Sequence, residues 1–291
     1  MVLVALLWAL CFPLIVIGNP DAPPPLLFAA LRALLAGAIL VALASLCGKW
    51  RWPRPGEIGK LTLIGLSFTA IGFGGMFLGA GKLASGIATV LANVQPLIAA
   101  ILAVWFLKEV LSRQILCGLM IGFVGVVVLA LPGFDYTAGR LEGAFYVLVG
   151  ALGTAVGNIL LKRRSKDGDI WIPMGFQLMI GAVFLFGGSL VMGEEWEIRW
   201  SWNFAGTLFA LSVPATALMV VLWYALLSRA PLTKLNSITF LTPAFGLLIG
   251  VLLLDERFSP IELAGVAITL LGLALIIWPG GSYKAPDRGG H

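Results

Sequence analysis

Apolar runs of about 17–25 residues with few charges follow one another along almost the whole sequence, each long enough to cross a hydrocarbon core of roughly 30 Å. Of the 291 residues, 60% are hydrophobic and 11% charged, with a mean hydropathy of +1.02. A soluble domain of this size needs far more charge to cover its surface. The chain therefore reads as an all-α, polytopic membrane protein with no soluble domain between its spans. The opening MVLVALLWALCFPLIVIG has no basic n-region and is expected to be a first span, not a cleaved signal. The Gly-rich polar tail, residues 282–291, is expected to be disordered. Cys11, Cys47 and Cys117 lie in or beside apolar runs and read as small hydrophobes, not as a disulfide framework.

Ten helices are expected near 2–18, 25–47, 58–79, 84–107, 114–131, 141–161, 170–192, 203–227, 235–254 and 260–278, joined by short connections punctuated with Gly and Pro such as NPDAPPP and LPGFD. Alternate connections differ in basic content. Lys49, Arg51, Arg54, Lys60, Lys108, Arg113, Lys162, Arg163, Arg164, Lys166, Arg229, Lys234, Lys284 and Arg288 fall on one side, against Lys82, Arg140, Arg199 and Arg257 on the other. The positive-inside rule then puts both termini in the cytoplasm. Trp50 and Trp52 suit an inner interfacial belt, and Trp196, Trp200 and Trp202, interleaved with Glu194, Glu195 and Glu197, an outer one.

The chain repeats itself. Residues 93–109, NVQPLIAAILAVWFLKE, share a layout with residues 240–256, FLTPAFGLLIGVLLLDE: a polar-Pro opening, a greasy stretch and a Glu at the end. At an offset of 147 residues, without a gap, Pro96 meets Pro243, Glu109 meets Glu256, Ser112 meets Ser259, Gly118 meets Gly265 and Gly125 meets Gly272. Residues 1–134 and 135–281 thus form two five-helix units. Five is odd, so the second unit enters the membrane the other way up. Such inverted repeats suit alternating access around a site near the bilayer midplane.

These residues carry a resemblance over nearly the whole chain. WYALLSRAPLTKLNSITFLTPAFGLLIGVLLLDERFSPIELAGVAITLLGLALI and LASGIATVLANVQPLIAAILAVWFLKEVLSRQILCGLMIGFVGVVVL resemble the two EamA repeats of the drug/metabolite transporter superfamily. FAALRALLAGAIL resembles the family's second helix, Arg32 included, whereas ALLWALCFPL departs from the family's usual first helix. The resemblance implies a ten-helix secondary transporter with both termini inside, often an exporter of amino acids or other metabolites, and is similar to the aromatic amino acid exporters among them.

In the span 84–107, Ser85, Thr89, Asn93 and Pro96 fall at i, i+4, i+8 and i+11, one stripe of a continuous helix. Gln95, about 200° round from Asn93, faces elsewhere on that reading. The matching stripe of the ninth span holds Asn236, Phe240 and Pro243. A mid-span proline bends a helix and frees a carbonyl, tolerable only where neighbours or cavity water satisfy it. These residues are therefore expected to line a polar, substrate-binding cavity, with interhelical hydrogen bonding as the alternative. Asn158, in register with Gly150 and Thr154, is a further candidate. Trp8 leads Trp105, Trp223 and Tyr224 as an aromatic platform for an organic substrate. Arg32 is the one charged residue well inside a span, about 10 Å from its outer end. It reads either as a ligand for a carboxylate or phosphate or, as its place in the family pattern favours, as a structural group. Glu109 and Glu256, at helix ends, are expected to pair with nearby backbone or with Lys108 and Arg257, and to help close a gate.

No Asp or Glu lies in the interior of a span, which disfavours a proton antiporter built on a buried acid; the one histidine, His291, is in the tail. Metal sites, histidine relays and Ser-His chemistry lose their ligands, and no P-loop appears. The expected protein is a non-enzymatic exporter of small neutral or zwitterionic metabolites in a bacterial inner membrane. It needs no cofactor or metal, its partners are a small-molecule substrate and the lipid bilayer, not nucleic acid, and it is a monomer or weak homodimer. A transporter of sugar-nucleotides or drug-like compounds, or a non-transporting scaffold or lipid-handling protein, are the alternatives.

Overall fold

The computed structural model describes residues 1–18, 24–80, 82–83, 88, 91–131, 138–164, 170–242, 244–245, 248–249 and 259–278, and among them it is helical with no strand. In chain order the helices are α1 (Val2–Ala9), α2 (Cys11–Gly18), α3 (Pro25–Leu46), α4 (Pro55–Ala80), α5 (Gln95–Leu107), α6 (Arg113–Ala130), α7 (Ala138–Arg164), α8 (Trp171–Val191), α9 (Trp202–Leu227), α10 (Leu232–Ile238) and α11 (Pro260–Ile277). Five of them, α3, α4, α7, α8 and α9, are long and apolar enough to cross a membrane.

Local chemistry sets the helix ends. Ser112 Oγ accepts from Ile115 N–H at the start of α6, and Ser201 Oγ accepts from Phe204 N–H at the start of α9. Ser259 and Glu262 cap α11 reciprocally, with Pro260 in the first turn. The first span is split at Leu10. Pro13 accounts for this, since it lacks the N–H that would bond back to Ala9 and its ring crowds that carbonyl.

The span expected over 84–107 is also not one continuous helix. The chain turns at Asn93–Val94 and a new helix starts at Gln95, so Pro96 sits in a first turn, where its missing donor is harmless, not in the middle of a bent helix. The ninth span is interrupted in the same way: α10 stops at Ile238 and Thr239–Phe240 form a turn.

Two pairs of helices stand in the same register as the sequence repeat. α4 and α9 start at 55 and 202, and α6 and α11 at 113 and 260, in each case 147 residues apart. Both α4 and α9 contain a π-helical turn, Gly65–Ile71 and Val213–Leu218. Pro214 supplies a cause for the second, since its absent N–H breaks the regular ladder. α6 packs on α11 with backbones nearly touching: a Cβ built on Gly272 would lie 2.6 Å from Gly118 O, and one built on Gly125 would lie 2.7 Å from Gly265 O. α3 and α8 meet similarly at Gly37 and Gly175.

Polar contacts sort the connections into two groups. Arg164 and Arg51 share Glu57 at 2.8 and 2.7 Å, Lys162 Nζ donates to Leu227 O and Ala230 O, Arg163 Nη2 donates to Phe106 O, and Gln114 Nε2 donates to Leu275 O. These contacts join the connections expected to be basic. In the other group Glu194 accepts from Leu26 N–H and Leu27 N–H at 3.0 Å each, and Lys82 pairs with Glu142 at 2.7 Å.

Candidate functional site

A cavity of about 70 Å3 lies between α1, α4, α5 and α7, at the point where the two broken spans turn. By the measure in which one water needs about 10–15 Å3, it has room for roughly five. Its lining combines the apolar side chains of Trp8, Phe68, Phe73 and Met76 with the neutral polar groups of Asn93, Gln95, Thr154, Thr239 and Thr242. Pro96, Ala92, Gly150 and Ala151 also line it, and among the described residues no charged side chain does.

The breaks put the polar groups there. On a continuous helix Gln95 faces away from Asn93; the turn at Asn93–Val94 resets the register, and both residues line the cavity with Pro96. The turn at Thr239–Phe240 brings in Thr239 and Thr242. Thr239 Oγ1 donates to Asn236 O at 2.6 Å and Thr154 Oγ1 to Gly150 O at 2.9 Å, which leaves their oxygens free to accept from a ligand. Gln95 Nε2 and Thr242 Oγ1 are buried without a hydrogen-bond partner. An orphaned buried group of this kind costs about 1–3 kcal/mol, so a wall holding two is suited to a ligand or water that completes them.

The structure distributes the expected site residues unevenly. Trp8, Asn93 and Pro96 line the cavity. Asn158 is fully buried outside the wall, where its Oδ1 accepts from Trp223 Nε1 at 2.8 Å, and the Trp223 ring packs 5.4 Å from that of Trp8. Its role is to hold the support on which Trp8 rests. Asn236 is fully buried beside the Thr239 turn, with neither side-chain polar atom partnered, and is not part of the wall. Phe240 turns onto Gly122 and packs with Ala100, Leu119, Val126 and Ile276. Trp105 is exposed, while Tyr224 is buried and donates to Arg164 O. Ser85, Thr89, Pro243 and Glu256 lie outside the described residues.

Arg32 is 1% exposed. Its Nε donates to Thr216 Oγ1 at 2.7 Å in the π-turn of α9, and Nη2 donates to Cys11 Sγ at 3.2 Å and to Ala215 O at 3.4 Å. Its guanidinium carbon lies 4.5 Å from the centroid of Phe73 and 5.8 Å from that of Phe77. Nη1 has no partner. Glu109 follows Lys108, whose φ of 57° closes α5 with a left-handed turn. That turn points the buried Glu109 carboxylate at the start of α10, where it accepts from Leu232 N–H (2.7 Å), Thr233 N–H (3.1 Å) and Thr233 Oγ1–H (2.8 Å). The backbone and the Thr233 hydroxyl at the start of α10, not Lys108, are its partners.

Long apolar helices, breaks in the spans and a neutral cavity where they turn are the anatomy of a transporter. The family model described as "EamA-like transporter family" matches residues 1–131 and 141–278, and the chain belongs to that family. It is 30% identical to an uncharacterized transporter of Synechocystis sp. over 87% of this chain and 81% of that protein. It is 28% identical to a chloroplastic WAT1-related protein of Arabidopsis thaliana over 89% of this chain, which spans 64% of the plant protein's length. A Salmonella typhimurium protein named "Probable amino-acid metabolite efflux pump" is 27% identical over 95% of this chain and 93% of its own. A solved crystal structure of 18% sequence identity superposes with a TM-score of 0.78 over 94% of both chains, a likeness of fold alone.

Proposed function

We propose that this chain exports small neutral or zwitterionic metabolites, amino acids foremost, by alternating access of two inverted five-helix repeats, residues 1–134 and 135–281. The observation that carries the reading is the cavity at the two helix breaks, with its aromatic and neutral polar lining and the unpartnered Gln95 and Thr242. An amino acid that keeps both charges needs such hydrogen-bonding partners, and its side chain needs the aromatic face. Support for the inverted repeat comes from the paired register of α4 with α9 and of α6 with α11, from the matching π-turns, and from the reciprocal Gly118–Gly272 and Gly125–Gly265 approaches. The two groups of connections support an orientation with the basic one, and both termini, on the cytoplasmic face of a bacterial inner membrane. The name of the Salmonella relative adds weight to amino acids as substrates.

The test is uptake into proteoliposomes loaded with purified protein, using a panel of L-amino acids against protein-free vesicles. Saturable uptake of a subset, competed by its unlabelled members, is expected. A panel on which no amino acid moves faster than into empty vesicles overturns the reading.

A further inference from the structure

Arg32 has no carboxylate partner among the described residues: its bonds go to a hydroxyl, a thiol and a carbonyl, its charge is shared with two phenyl rings, and one arm of the guanidinium bonds to nothing. The other buried charges differ. Arg164 is paired with Glu57, and the Glu109 carboxylate is held by two backbone N–H groups and a hydroxyl. Glu194 sits at the start of α3, the helix that carries Arg32, but is turned to Leu26 N–H and Leu27 N–H and to Ser189, about 9 Å along the axis from Arg32.

This uncompensated cation stands directly behind the cavity. Phe73, under the guanidinium, is part of the cavity wall, and Cys11, which accepts from Nη2, follows Trp8 of the same wall by three residues. We infer that Arg32 sets the charge selectivity of the cavity through its Phe73 wall, favouring ligands that carry a carboxylate and rejecting those whose only charge is an ammonium. This rests on the cavity being the ligand site. A ligand charge on the near side of Phe73 stands on the order of 8 Å from the guanidinium; at an effective dielectric of about 20, that separation favours an anion by roughly thirtyfold and disfavours a cation by as much. Among the described residues no acidic side chain lines the cavity to offset it. Arg32 is then a positioning charge, not a ligand. Conserving the charge conserves the selectivity, whatever happens to its hydrogen bonds.

The experiment uses three compounds with one aromatic body: 3-phenylpropionate, L-phenylalanine and 2-phenylethylamine, titrated calorimetrically into the purified full-length protein with empty micelles as the blank. The wild type should bind phenylpropionate at least thirtyfold more tightly than phenylethylamine, with phenylalanine between them. Arg32→Gln should shrink that ratio by at least tenfold, and Arg32→Lys should keep most of it. A wild-type ratio within threefold of unity overturns the inference even if no Arg32 variant folds, and so does an Arg32→Gln protein that keeps the full ratio. In both cases binding itself persists and the cavity stands as a ligand site. Binding of none of the three by the wild type overturns the cavity reading and takes this inference with it.

Discussion

Gln95 and Thr242 each hold a buried polar atom with nothing to bond to, and this makes them the clearest test of a wall built for a ligand. Thr242→Val keeps the shape and removes the hydroxyl. Relieving an orphaned group of about 1–3 kcal/mol should leave thermal stability in detergent unchanged or higher, while transport at subsaturating substrate falls about tenfold, the worth of one lost hydrogen bond. Lower stability with unchanged transport would make Thr242 a packing residue. Glu109 should behave in the opposite way. Glu109→Ala strips the acceptor from Leu232 N–H, Thr233 N–H and the Thr233 hydroxyl at a buried helix start, and should cost about 2–3 kcal/mol, read as a clear drop in melting temperature; Glu109→Gln should lose less. Equal melting temperatures for Glu109→Ala and wild type would remove the cap from the account.

At the scale of elements, the expected spans 114–131 and 260–278 fall on α6 and α11, while the interruptions were not legible. Their starts are fixed in the structure by local chemistry, the Ser112 cap and the reciprocal Ser259–Glu262 cap, at the two serines that the repeat had paired. The break at Asn93–Val94 is hidden because the apolar run continues through it, and a 3.6-residue period drawn across it misplaces Gln95. For the same reason Phe240, in register with Asn236 on a continuous helix, lands on Gly122 while Thr239 and Thr242 take the cavity. The π-turn of α4 has no sequence marker comparable to Pro214 in α9, so Phe68 and Phe73 were not legible as wall residues. The glycines of α6 and α11 were visible as repeat positions, and their packing gives a prediction. Gly272→Ala would put a methyl 2.6 Å from Gly118 O, a backbone atom that cannot give way, and should destabilise the protein by about 1–3 kcal/mol. Gly206→Ala in α9, with open space around its Cβ, should be neutral or slightly stabilising, as alanine is the better helix former. Indistinguishable melting curves for the two variants would contradict the close contact of α6 with α11.

For the whole molecule, the apolar helices were legible in composition, which sums over many residues and tolerates local error, while the inverted plan and its orientation, read from the 147-residue offset and the loop charges, are what cysteine labelling tests. Single cysteines in place of Lys82 and Lys234, in a background without Cys11, Cys47 and Cys117, should react with an impermeant maleimide from opposite sides of the membrane; labelling of both from one side would contradict the inverted plan. The cavity between the two helix breaks is the centre of the account, and Asn93 is the polar residue that both the sequence pattern and the cavity wall single out. The most direct measurement is substrate uptake by proteoliposomes containing Asn93→Leu, normalised to the amount of monodisperse protein and compared with wild type. The account predicts normal yield and dispersity with uptake reduced at least tenfold. Uptake equal to wild type from a well-folded Asn93→Leu protein would contradict it.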